Sequence, residues 1–169
     1  MPLEEIATIK TGKDHRHLKS GDIPVYGSGG ILSYVDSYTY DKPSVLLPRK
    51  GSIGNVFYLD KPFWNIDTIY YTEIDTTSIL PKFLYYFICN SHIERLNTSN
   101  AARPALTREV LNRIIIPIIP LEVQARIVDT LDKFESLCNI LTAGLPAEIT
   151  ARQKQYEYYR DKLLTFKEV

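Results

Sequence analysis

The chain has 169 residues, 44% of them hydrophobic, and its 20 Lys plus Arg are balanced by 20 Asp plus Glu. That length holds one ordinary domain of about 100–150 residues and an appendage, and leaves little room for two full domains. The apolar content excludes a disordered chain, and the zero net charge excludes an indiscriminate polyanion binder, so any nucleic-acid contact must come from local patches. Cys89 and Cys138 stand in apolar helical patterns without the clustered spacing of a zinc site or disulfide framework, and are expected as buried thiols. No stretch has the three-part pattern of a signal peptide and no apolar run reaches the roughly 20 residues of a membrane span. The expected location is the cytoplasm, with no membrane partner.

Up to about residue 120, short extended segments punctuated by Gly and Pro alternate with a few short helices. First comes a basic stretch, Lys10, Lys13, Arg16 and Lys19, offset by Asp14 and interspersed with His15 and His17; phosphates are its natural partners, though short basic runs are also common as solvated loops. Tyr26-Gly27-Ser28-Gly29-Gly30 lies between extended runs, where missing Cβ atoms let backbone N–H groups approach a phosphate or base edge, or simply allow a tight turn. Residues 45–47, 54–59 and 68–74 are rich in β-branched and aromatic side chains between turn formers, and are expected as strands. Directly after the first of them, Pro48-Arg49-Lys50-Gly51-Ser52-Ile53-Gly54-Asn55 sets two cations beside a Gly-Ser turn; Arg can contact guanine in bidentate fashion, while Lys and Ser can hold phosphate oxygens. Trp64, close to Asn65 and Asp67, reads as a core anchor rather than a base-stacking platform.

Pro81 suits the first turn of a helix, and residues 82–96 have the spacing of a packed helix pair. In Asn100-Ala101-Ala102-Arg103-Pro104-Ala105-Leu106-Thr107-Arg108, Thr107 can cap a further short helix whose start, beside Arg103 and Arg108, favours an anion. Residues 113–120 return to an extended Ile-Pro run, because Pro117 and Pro120 lack donors. From Leu121 onward, Ile127, Leu131, Phe134, Cys138 and Leu141 alternate spacings of four and three, the seam of a coiled-coil-like helix that wants a partner. Gly144 and Pro146 are expected to interrupt it, before the same alternation resumes at Ile149, Arg152, Tyr156, Tyr159, Leu163 and Phe166. A turn there would make an antiparallel pair within the chain; a kink would leave a longer rod to pair with another chain. The expected class is α+β: a compact, mixed β-rich domain over residues 1–120 and a long coiled-coil-like helical region over 121–169.

An enzyme reading finds little support. His15, His17 and His92 lack the Cys or Asp spacing of metal ligands, no Gly-rich phosphate loop precedes a helix, and the Asn-Pro-Pro-Tyr type of motif used by amino-methyltransferases is missing. No catalytic residue, metal or cofactor is expected of this chain.

Taken in order, Tyr26 to Gly30, Pro48 to Asn55, Pro62 to Thr68, Arg103 to Arg108 and the run closing in Pro120-Leu121-Glu122-Val123-Gln124 resemble a type I restriction-modification specificity subunit. So does the tail Arg152-Gln153-Lys154-Gln155-Tyr156-Glu157-Tyr158-Tyr159-Arg160-Asp161-Lys162-Leu163-Leu164. The resemblance implies a target-recognition domain that binds double-stranded DNA and a helical spacer. In that family two such domains, separated by helices, each read one part of a split target. One domain is present here, so a homodimer through the helices is expected. A methyltransferase subunit and a restriction subunit are implied as partners, and neither S-adenosylmethionine nor ATP would bind this chain. The expected DNA contacts are Lys13, Arg16, Tyr26, Ser28, Gly29, Arg49, Lys50, Ser52, Asn55, Arg103, Thr107 and Arg108. The expected oligomer contacts are Ile127, Leu131, Phe134, Leu141, Tyr156, Tyr159 and Leu163. A protein-interaction scaffold that oligomerises through its helices is the rival reading.

Overall fold

A computed structural model describes residues 1–97 and 104–164, apart from some side chains of the last helix. Seven strands run β1 (Ala7–Thr11), β2 (Ile23–Gly27), β3 (Gly30–Val35), β4 (Ser44–Pro48), β5 (Phe57–Leu59), β6 (Trp64–Asn65) and β7 (Ile69–Ile74). Three α-helices follow, α1 (Pro81–Asn90), α2 (Arg108–Asn112) and α3 (Leu121–Leu164). The three strands expected from residue type are β4, β5 and β7, the middle one shorter than expected because residue 54 closes the preceding turn and 55–56 are irregular. One sheet has the order β1-β7-β4-β5 and is antiparallel throughout. The other has the order β3-β2-β6, with an antiparallel β2–β3 hairpin and a short parallel pairing of β2 with β6.

Every residue of β4 is buried, which is why Val45 to Pro48 form a continuous apolar run rather than an alternation. Its pairing with β7 is limited to Leu47 opposite Tyr70 and Pro48 opposite Ile69. Beyond that, side chains take over the ladder. The Ser44 hydroxyl donates to the Thr72 carbonyl at 2.8 Å and accepts from the Thr72 N–H at 3.0 Å, while Thr72 Oγ1 donates to the Val45 carbonyl at 2.9 Å and accepts from the Val45 N–H at 3.0 Å. Both side chains are fully buried, and this exchange satisfies backbone groups that would otherwise be stranded.

The main core joins Leu3, Ile9, Leu47, Tyr70, Phe83, Leu84, Ile88, Leu111 and Ile116. Within α1, Pro81 occupies the first turn as expected, and Phe83, Leu84 and Ile88 face inward. Cys89 does not: it is exposed, contrary to the expectation of a buried thiol. Ile88 holds the core position, and the next residue of a helix is rotated by about 100°, which carries Cys89 to the outer side.

The N-terminus of α1 has no capping side chain of its own. Its Leu80 N–H donates instead to Gln124 Oε1 at 2.8 Å, and Gln124 Nε2 donates to the carbonyls of Ser78 at 3.1 Å and Ile119 at 2.8 Å. Gln124 is completely buried, so the start of α3 is fastened to the start of α1 by a fully used amide. The chain divides into two compact units, one of Met1–Val128 and the other from Asp129 onward. α3 begins in the first unit and continues into the second.

α3 runs as one helix through Gly144 and Pro146, so of the two readings left open by the sequence the turn with an antiparallel pair does not form. Relative to Ala, glycine costs a helix about 1 kcal/mol and proline about 3 kcal/mol. Those are local penalties that a helix of 44 residues can carry. In the second unit, Lys133 pairs with Asp129 one turn earlier at 2.7 Å, while Phe134 is 61% exposed and Leu137 55%. The side chains of Cys138, Leu141, Tyr156, Tyr159 and Leu163 lie outside what is described. Among the described residues, no helix is long and apolar enough to cross a membrane.

Candidate nucleic-acid interface

Three loops that are distant in sequence meet on the first unit. As the chain leaves β4, the Arg49 carbonyl accepts from the Leu106 N–H at 2.9 Å, Lys50 bridges Ala105, and the Gly51 N–H donates to the Pro104 carbonyl at 3.3 Å. The same loop reaches the β2–β3 turn, where Asn55 Nδ2 donates to the Ser28 carbonyl at 2.9 Å. Gly51 has φ +84°, a conformation open to glycine, and Ser28 Oγ lies 3.1 Å from where a Cβ would sit. The entry to β7 lies among these loops: the Arg49 and Lys50 N–H groups both donate to the Thr68 carbonyl, and Thr68 Oγ1 accepts from the Ser28 N–H at 3.2 Å.

Between the β4 exit and α2 lies a cleft of about 380 Å³. Its floor is Tyr70, 5% exposed. The Arg49 guanidinium carbon stands 5.8 Å from the Tyr70 ring centroid and that of Arg108 stands 6.0 Å from the same centroid, both within cation–π range. Each guanidinium is also tied elsewhere: Arg49 Nη1 donates to the Asp67 carbonyl at 3.2 Å, and Arg108 Nη2 to Thr11 Oγ1 at 2.9 Å. Lys50 shares the cleft wall but sits 3.8 Å from the Asp67 carboxylate. Thr107 caps α2 as expected, its hydroxyl accepting from the Val110 N–H at 3.4 Å. The Glu109 carboxyl is held below the usual carboxylate range, first by its own backbone N–H, then by the Thr107 hydroxyl and the charges of Arg108 and Arg113. Because α2 has five residues, its dipole is small, and the positive charge at this end resides in Arg108.

Among the other expected contacts, Lys13 and Arg16 are exposed and neither lines the cleft. Lys13 belongs to a loop pinned on β6: its N–H donates to the Asn65 carbonyl at 2.9 Å, its carbonyl accepts from Trp64 Nε1 at 3.0 Å, and Gly12 allows close approach to the backbone of Asn65 and Ile66. Trp64, 8% exposed, packs with Val25 and Val35. Arg16 lies 3.9 Å from Asp14. Tyr26 is half-buried against Phe57, and burial, followed by the neighbouring Tyr34, pushes its phenol up from the ordinary value. Ser28 is buried, whereas Gly29 faces open space and Ser52 and Asn55 are exposed. Arg103 lies outside the described residues. Among the described residues, no group of His, Cys, Asp and Glu is placed to hold a metal ion.

Sequence reasoning missed Tyr70, Thr11, Asp67 and Thr68 as parts of this surface. The one signal available was Tyr70 on the inward face of a strand, which by residue type reads as core.

Residues 1–151 match the family model described as the type I restriction modification DNA specificity domain. The chain belongs to this family. It is 34% identical to a putative type I restriction enzyme specificity subunit of Haemophilus influenzae, in an alignment covering 87% of this chain and 42% of the relative. It is 30% identical to the type I restriction enzyme MpnII specificity subunit of Mycoplasma pneumoniae, covering 97% of this chain and 52% of that one. The crystal structure of a type I restriction-modification system S subunit from M. genitalium superposes with a TM-score of 0.71 at 20% identity, over 91% of this chain and 43% of that chain. The mixed α+β fold is therefore shared with that specificity-family member. This chain spans about half the length of the curated relatives it matches.

Proposed function

We propose that this specificity-family chain is a non-catalytic reader of one part of a split double-stranded DNA target. In this reading it directs the methyltransferase and restriction subunits of a type I complex to that target. Residues 1–120 form the recognition domain, and 121–169 form the spacer. The observation that carries the reading is a cleft bearing Arg49, Lys50 and Arg108 between the β4 exit loop and residues 105–109, with the β2–β3 turn hydrogen-bonded to the same exit loop.

One reader of this size offers few discriminating contacts. A good bidentate base contact is worth roughly 1–3 kcal/mol, too little in small number to choose one site among a genome's competitors. A second reader held at fixed distance turns its own binding into an intramolecular event and raises avidity by about 100-fold or more. Exposed Ile127 and Phe134 on α3 support pairing of two copies as the means of holding it. The spacer is then part of the specificity, because its length sets the gap between half-sites.

Mapping methylated bases in DNA exposed to the chain reconstituted with its methyltransferase subunit tests this reading. The expected result is modification at two short sequences separated by a constant gap. Modification that ignores sequence, or binding that is equal on every duplex and unmoved by salt, would favour the scaffold reading instead.

A further inference from the structure

We propose that Arg49 and Arg108 act as one clamp on a single DNA backbone phosphate, with Tyr70 and Thr11 as the residues that position it. This rests on the DNA-reading function above and assigns a role within it. Both guanidiniums lie within 6.0 Å of one ring centroid, and both line the same cleft. A cation–π contact of this length does not consume the guanidinium N–H groups. Each arginine has five such donors, and the tethers to the Asp67 carbonyl and the Thr11 hydroxyl leave several for an oxyanion. The Lys50 charge is offset by Asp67, and Glu109 supplies one carboxylate, so the two arginines leave the cleft with a positive excess.

Geometry decides between phosphate and base. Base edges lie on the floor of a major groove roughly 8.5 Å deep, and an arginine must extend to reach them. Arg49 and Arg108 are instead held within 6.0 Å of the centroid of a ring that is 5% exposed, and are tied to the domain's own backbone and hydroxyl. Phosphates project from the duplex and can enter such a cleft. The clamp therefore sets register and affinity, and the reading of bases falls to other residues.

The test uses the full chain bound to its methyltransferase subunit and a pool of randomised duplexes, sequenced after binding to give base preference. Affinity for a selected duplex is then followed across a salt series. Each phosphate contact on B-DNA contributes about 0.9 to the slope of log affinity against log salt. Arg49→Ala and Arg108→Ala are each expected to weaken all sequences alike and leave the preference unchanged, and the double variant to lose about 0.9 of slope in total. Tyr70→Leu should match the double variant and Tyr70→Phe should match the unsubstituted chain, because the ring is what the guanidiniums rest on. Thr11→Val, which keeps the volume and removes the acceptor, should reproduce Arg108→Ala even if Tyr70→Leu fails to fold. Relaxed preference at one base position in Arg49→Ala, or a slope loss of about 1.8 in the double variant, would overturn the single-phosphate clamp. An unsubstituted chain with neither preference nor salt dependence refutes the DNA-reading function and the clamp with it; normal binding with unaltered variant slopes removes the clamp only.

Discussion

The first unit and the second use the same residue types to opposite effect. In the first, Leu3, Val45, Phe63 and Ile69 are completely removed from solvent, and among the polar side chains buried with them Ser44, Thr72 and Gln124 make hydrogen bonds within the fold. In the second, Phe134 and Leu137 are more than half exposed although they occupy a regular helical spacing. Apolar periodicity therefore marks a face, and whether that face is buried depends on what surrounds it. The core of the first unit is complete within the chain. On α3, Phe134 and Leu137 are not covered by the chain's own described residues, and in the proposed function a second copy covers them.

Three substitutions press on this contrast, and the chain's one tryptophan, Trp64, reports unfolding of the first unit directly. Phe63→Ala has the largest expected effect. Phe63 is 0% exposed, packed with Leu46 and Ile69, and its truncation should cost about 3–5 kcal/mol in urea unfolding followed by Trp64 fluorescence. A loss well under 1 kcal/mol would mean this cluster is not a tightly packed core. Gln124→Ala comes next. It leaves the part-buried Leu80 N–H and the carbonyls of Ser78 and Ile119 without this partner, for an expected loss of about 1–3 kcal/mol by the same measurement. An unchanged midpoint would show that α3 is not secured to α1 through this amide. Phe134→Asp is the smallest for stability, with the midpoint of the first unit moving by no more than about 0.5 kcal/mol. In sedimentation, however, it should convert paired chains to monomers; dimers that persist would take this face out of the pairing.

Several features are legible in the sequence alone. Runs of β-branched and aromatic residues located β4 and β7, Pro81 marked the start of α1, and Thr107 marked the cap of α2. Each is a local signal, expressed through backbone dihedrals and neighbours a few residues away. The unbroken course of α3 through Gly144 and Pro146 was not legible, because a propensity penalty counts against a helix without forbidding it. Nor was the outward position of Cys89, which follows from which face of α1 the core claimed. The Gln of Pro120-Leu121-Glu122-Val123-Gln124 carried the family resemblance, but its work as a buried fastener became visible only with its three partners in place.

By itself the sequence determined the mixed α+β class of the fold, the places of β4, β5, β7 and the helices, and membership of the specificity family, since these reside in residue type, spacing and order along the chain. The cleft was decided by tertiary structure. Arg49, Tyr70, Arg108 and Thr11 come from four separated segments, and only the pairing of β1 with β7, the packing of β4 beside it and the bridge from Lys50 to Ala105 bring two guanidiniums over one ring. Such convergence depends on strand order and register, which no local pattern encodes.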